Sequence, residues 1–399
     1  MDPTLDRVAD LPLLRAAYSR FLVDGRVLLT GHSHQAWPDV ARDALAQSFD
    51  DAARFVDDKW EAAIFPRARA VGEGVLERLG FARGDAIAFG KSTHELVYRL
   101  LSCLPLQERP RIVTTQSEFH SLRRQLTRLA EEGAQVEWVA SRPRPQLVDA
   151  LLAAIVPGTA MVALSAVLFE DSYVVPRLGE ILAQAVAVGA VVLVDAYHAF
   201  NVVPLAWGPA REHLYVTAGG YKYAGFGDGI CWLRIPAGST LRPVYTGWFA
   251  DFGALSGAQD GRVAYGPGGA RFAGATFDAS PIYRAEAVLG HWERFGLGPA
   301  ALRAVSTRQT RRIIEGLDAS GHGGAVVSSR DDARRGGFVA VRAGQAGGHP
   351  ADAIVARLRA EGVFIDARNE TLRLGPAPYL TDDEIDRGVA AVARALAGG

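Results

Sequence analysis

From Ala86 to Pro236 short apolar runs alternate with amphipathic stretches. The runs are AIAF from Ala86, RIVTTQ from Arg111, VEWVA from Val136, MVALSAV from Met161, VVLVDA from Val191, LYVTAG from Leu214 and ICWLRI from Ile230. Between them, STHELVYRLLSCL, HSLRRQLTRLAEEG and RLGEILAQAVAVG repeat their apolar residues every three or four positions, the helical period. Strands that are apolar throughout are strands buried on both faces, so the pattern predicts an α/β fold with a mostly parallel seven-stranded sheet covered by helices on both sides. Ligands of such sheets bind beyond the carboxyl ends of the strands. Upstream, PDVARDALAQSFDDAARFVDDKW and RARAVGEGVLERLG predict two long helices. Downstream, Pro281 to about Leu317 predicts a helix, GGFVAVRA a strand, ADAIVARLRAEG a helix and VFIDARNETLRLG paired strands. A last helix opens at Thr381, with Glu384 three residues on in a capping-box arrangement. This part reads as a smaller α+β domain, and the glycine-rich PGGARFAGATFDASP joins it to the sheet. The expected boundaries are an N-terminal segment, 1–60, packing on the small domain or a dimer interface, a large domain over 61–280 and a small C-terminal domain over 281–399.

Composition narrows the function classes. With 43 Lys+Arg against 44 Asp+Glu in 399 residues, the net charge of -1 offers no basic surplus for nucleic acid or an anionic membrane. The most apolar run, Ile181 to Ala196, is interrupted by Gln184 and Gly189 and ends at Asp195, so no membrane span is expected. The start MDPTLDRVADLP lacks the basic and apolar regions of a secretory leader, and Cys103 and Cys231 stand singly without a CxxC partner. A cytoplasmic protein without a disulfide framework or cysteine zinc site is expected.

Candidate chemistry sits just after the strands. Asp195 ends VVLV, where an unpaired carboxylate is expensive, so it needs a partner: a helix cap or ion pair, or the protonated pyridine nitrogen of pyridoxal phosphate (PLP). Lys222, in VTAGGYKYAGFGDG, follows the next strand among Tyr, Gly and Ala where a surface loop would carry polar residues. Apolar surroundings lower a lysine's pKa and leave a nucleophilic amine. An amine and an acid on one crevice are the pair a PLP enzyme requires. His198, three residues after Asp195, is either a satisfied core histidine or a ligand of that carboxylate or of the cofactor. Ser92 and Thr93 open a helix after a strand, which is an ordinary N-cap or an anion site for a phosphate. The GKST there is not a P-loop, because the glycine that GxxxxGKS requires is Asp85. Phe119 in SEFHSLRRQL is either core or a ring stacked on a planar cofactor.

The segments DAYHAFNVVP, GGYKY, TGWF, RFAGAT and LRLGPAPYLT together resemble the class V aminotransferase group of fold type I PLP-dependent enzymes, and within it the kynureninases. The resemblance implies that Lys222 forms the Schiff base and moves the Cα proton, that Asp195 holds the pyridinium and that Phe119 stacks on the ring. It further implies that Ser92, Thr93, Tyr221 and Trp248 surround the phosphate, with Thr276 reaching it from a second subunit of a homodimer. His198 and Ser165 contact the ring or its hydroxyl, and Arg373 grips the substrate carboxylate, its alternative being a surface salt bridge. The implied reaction is hydrolytic Cβ–Cγ cleavage of a kynurenine-type amino acid to alanine and an aromatic acid. Transamination, β- or γ-elimination and decarboxylation are the alternatives on the same cofactor, and a non-catalytic nucleotide-binding protein is the alternative outside it. Cysteine desulfuration is not expected, because Cys103 lies in a helical pattern and Cys231 in a strand. The sequence departs from the group in HSHQ, which puts His32 and His34 where Asn and Leu are usual, in AVLFEDS after Ser165, and at Phe277 in place of proline. These departures point to an altered substrate shell, with His32 and His34 as candidates for side-chain selection.

Overall fold

The structure, a computed structural model, describes residues 8–82, 85–254, 261–344 and 350–398. Most of the stretch read for a leader, residues 1–7, lies outside them. The predicted runs all form strands. After a two-residue β1 (Val27–Leu28) come β2 (Ala86–Gly90), β3 (Arg111–Thr115), β4 (Gln135–Val139), β5 (Thr159–Ser165), β6 (Val191–Asp195), β7 (Leu214–Gly219) and β8 (Cys231–Ile235). Strands β2 to β8 make one seven-stranded sheet in the order β2-β8-β7-β6-β5-β3-β4, in which only β8 runs antiparallel to its neighbours. Alternate residues feed two cores: Val192 and Val194 of β6 join Val162 and Leu164 of β5 on one face, while Leu193, Met161 and Ala163 face the other. Burial on both sides is why these strands carry no polar alternation.

Four short strands complete the molecule: β9 (Val339–Arg342), β10 (Val363–Phe364), β11 (Asp366–Arg368) and β12 (Thr371–Leu374). β11-β12-β9 form an antiparallel sheet, and β10 pairs in parallel with β1, which ties the N-terminal segment to this region. The capping box at Thr381 and Glu384 is present on the last helix, Asp382–Leu396.

Two elements differ from expectation. The helix expected from Pro281 to Leu317 is two, Ser280–Arg294 and Pro299–Ala319. Gly296 takes φ 64°, and Pro299 lacks the N–H that would continue the first helix. The glycine-rich segment is not a free linker. A short turn, Gly268–Phe272, lies on β2 so closely that a Cβ on Gly269 would overlap the Ile87 carbonyl. No helix among the described residues is long and apolar enough to cross a membrane.

Candidate active site

The carboxyl ends of the central strands bring Ser165 and Asp195 side by side, since these residues are register partners on β5 and β6. A cavity of about 260 Å³ opens above them, and Ser92, Thr93, Phe119, His198, Tyr221 and Lys222 complete its wall. Eight of the residues singled out in the sequence, from the ends of five strands and the connections that follow them, therefore meet in one place.

Lys222 lies in the loop joining β7 to β8. The loop folds back tightly because Gly225, Gly227 and Gly229 take φ of 70°, 77° and 82°. A Cβ on Gly219 would collide with Cys231 and Tyr197, so the strand end must stay bare there. Lys222 is only 5% exposed, and its Nζ lies 2.9 Å from His198 Nε2 and 4.6, 5.1 and 5.6 Å from the ring centres of Tyr197, Phe119 and Tyr221. Burial pulls the ammonium's pKa down, and the Asp195 carboxylate opposes that pull. Burial also holds His198 well below the ordinary imidazole range, with Lys222 pushing the same way, so the imidazole is neutral. The result is an amine poised to act as a nucleophile or base beside a neutral imidazole.

Burial raises Asp195, whereas the Tyr197 amide and Lys222 favour its charged form. Among the described residues one hydrogen bond reaches the carboxylate, from Tyr197 N to Oδ1 at 2.8 Å. The second oxygen is left for a donor in the cavity. Ser92 is the N-cap of the helix Thr93–Leu101, its hydroxyl accepting from Glu95 N at 3.2 Å. The two readings of this segment are compatible, since the same helix start caps itself and presents Ser92 and Thr93 to the cavity.

The remaining predicted residues are placed differently. His32 is fully buried, with Nε2 2.9 Å from Asp366 Oδ1 and its ring 4.7 Å from that of Phe338. Burial lowers its pKa to about 4, so it meets Asp366 as a neutral donor. His34, two residues on, is exposed and stacks on Tyr221 at 5.0 Å. The two histidines therefore do not form one selecting surface. Arg373 is buried, not a surface ion pair. Its Nε and Nη2 grip Asp366 at 2.8 and 2.5 Å, and Nη1 donates to the Phe169 carbonyl at 2.9 Å. Its fork thus holds a carboxylate of the chain itself. One chain does not bring Trp248 or Thr276 into the cavity. Trp248 packs on Phe249 at 4.2 Å and is 40% exposed, and Thr276 lines a neighbouring space of about 750 Å³ that shares Lys91 and Gly229 with the first.

Two carboxylates escaped the sequence reading. Glu118, next to Phe119, is buried and bonded to Ser165. Asp366 faces Arg373 across the β11–β12 hairpin. A signal existed for Asp366, since a two-residue turn at Asn369 and Glu370 puts it opposite Arg373, whereas Gln116 and Ser117 separate Glu118 from the end of its strand.

Comparison with known proteins agrees with this architecture. The kynureninase C-terminal domain family matches residues 302–392. No curated protein sequence matches the chain. Among solved structures, a cysteine desulfurase from Thermococcus onnurineus NA1 superposes with a TM-score of 0.82 at 19% identity, covering 98% of this chain and 99% of that one. The cysteine desulfurase CsdA from Escherichia coli gives 0.81 at 20% identity, with 98% and 99% covered. The lyase C-DES, in a mutant with glycine covalently linked to its PLP cofactor, gives 0.80 at 19%, with 95% and 98% covered. The chain thus shares the whole-chain fold of these enzymes, fold type I, and its small domain carries the match to the kynureninase C-terminal domain.

Proposed function

We propose that the protein is an enzyme that carries PLP on Lys222 and acts on an amino acid, its reaction most like that of kynureninase. The observation that carries this reading is the buried amine of Lys222 sharing one cavity with an Asp195 carboxylate that has an oxygen to spare. The residues fit the group. An aldehyde needs the amine, a pyridine nitrogen needs the free carboxylate oxygen, and a phosphate suits the helix start at Ser92 and Thr93. PLP supplies an electron sink for bonds at the substrate's Cα. Lys222 then holds and moves the Cα proton at Nζ, with neutral His198 as its neighbour. Asp195 keeps the ring nitrogen protonated, and Phe119 and Tyr221 confine the ring. Arg373 takes the substrate's α-carboxylate in exchange for Asp366, a partner of the same charge and shape. In this reading the enzyme is a homodimer. The exposed Tyr245, Trp248 and Phe277 around the space that holds Thr276 support an interface there.

The fold is shared with desulfurases, but the thiols do not favour that reaction. Cys103 sits in a turn past its helix and Cys231 opens β8, and burial pushes each up to about 12, far from the thiolate that accepts sulfur. The test is incubation of PLP-loaded protein with kynurenine and with a panel of amino acids. Alanine and the aromatic acid in equal amounts support the kynureninase-like reaction. A keto acid would move the assignment to transamination, and no turnover of any amino acid would overturn the reading.

A further inference from the structure

We propose that Glu118 is a positioning carboxylate of this site, fixing Ser165 and adding a second negative charge behind that serine, next to Asp195. The inference rests on the PLP reading above and concerns a residue that reading leaves unused.

Glu118 is 1% exposed and lies in the connection between β3 and the helix His120–Glu131. Three donors meet its carboxylate: Thr115 Oγ1 at 2.6 Å and Ser165 N at 3.2 Å reach Oε1, and Ser165 Oγ at 2.6 Å reaches Oε2. Thr115 ends β3 and Ser165 ends β5, so Glu118 closes the gap between two adjacent strands. Ser165 is in turn the register partner of Asp195, and one serine separates the two acids. No cation among the described residues pairs with Glu118. A buried acid without a cation is a poor choice for stability alone, because desolvation costs more than its hydrogen bonds return. Its effect falls on its neighbours. The single hydroxyl proton of Ser165 is committed to Glu118, which leaves that oxygen an acceptor toward the cavity. Burial drives Glu118 up to about 7, the Ser165 and Thr115 donors oppose this, and Asp195 adds to it. The charged and titratable groups facing this space are Lys222 against Asp195, Tyr197 and Tyr221 beside it, His198 against Lys222, and Arg373, Asp366 and Arg368, which also act on Lys222. An anionic Glu118 favours a cation in this space. It therefore raises the pH up to which the nitrogen joining Lys222 to the cofactor keeps its proton.

The test is a pH titration of the visible absorbance of the full-length protein loaded with PLP. Glu118→Gln keeps the shape and removes the charge. The midpoint is expected to fall by about one pH unit, the lower range of a neighbouring charge's effect, with cofactor content per chain unchanged. A merely structural role would lower cofactor content or stability and leave the midpoint where it was, and that result overturns the proposal. Should Glu118→Gln not fold, Thr115→Val gives the same test. It removes a donor that favours the anion, so the midpoint moves in the same direction, and an unmoved midpoint contradicts the proposal. A wild-type protein that gains no visible band removes the PLP reading and this inference with it. A wild-type band with unmoved variants removes the inference alone.

Discussion

A lysine amine and an aspartate carboxylate that burial pushes toward neutrality, each partly restored by the other's charge, define the chemistry at the level of single residues. If Asp195 keeps a ring nitrogen protonated, Asp195→Asn should retain cofactor through the helix start and Lys222 yet lose turnover. A loss of roughly 10²- to 10⁴-fold is expected, the span of a lost acid–base contribution. Steady-state turnover measured beside cofactor content checks this, and near-wild-type turnover would remove Asp195 from the mechanism. Both residues were legible because each follows an apolar run that has no other reason to end in a charge. Glu118 was not, because Gln116 and Ser117 separate it from its strand and give it the look of a polar loop. The histidines show a firmer limit. His32 and His34 look equivalent in HSHQ, but one points into the core toward Asp366 and the other to solvent, and only the path of the backbone decides which.

Among the elements, the β11–β12 hairpin carries the substrate-recognition part of the account. Its two-residue turn at Asn369, which takes φ 51°, sets the register that puts Asp366 against Arg373. Although burial raises the Asp366 carboxyl, hydrogen bonds from His32 and Arg373 outweigh this and hold it below the usual carboxylate range. The stability it contributes is therefore present at neutral pH and is lost as pH falls below about 4, the ordinary value of the unfolded chain. Asp366→Asn should cost about 2 kcal/mol at pH 7, less than a fully buried pair because the Asp366 side chain is 18% exposed. In thermal unfolding the difference from wild type should close as the solution is acidified, and a difference independent of pH would contradict the pairing. The existence of the strands could be read from apolar periodicity. The break at Gly296 to Pro299 was marked in the sequence by the residues that end helices, but the apolar repeat running through both helices concealed it.

At the scale of the whole molecule, the large sheet and the small domain were legible because burial on both faces and helical periodicity are written into single runs. Contacts between distant segments were not. Trp60, Phe249 and Phe277 form one aromatic cluster, with centroid separations of 4.9 to 5.7 Å, although the sequence scatters them over more than half the chain. Nearby, Tyr245, Trp248 and Phe277 are 61%, 40% and 42% exposed, an apolar surface that a second copy would cover. Light scattering should give twice the chain mass, and Trp248→Asp should shift the protein to monomer with loss of turnover. A fully active wild-type monomer would refute the shared interface.

Lys222 is the residue proposed to carry the cofactor. PLP added to the purified protein should produce a visible band that borohydride abolishes irreversibly, and peptide mapping should then find one pyridoxyl label, on the peptide that contains Lys222. Lys222→Ala should show neither the band nor the fixed label. A wild-type protein that gains no band, or one whose label sits on a different lysine, would contradict the account.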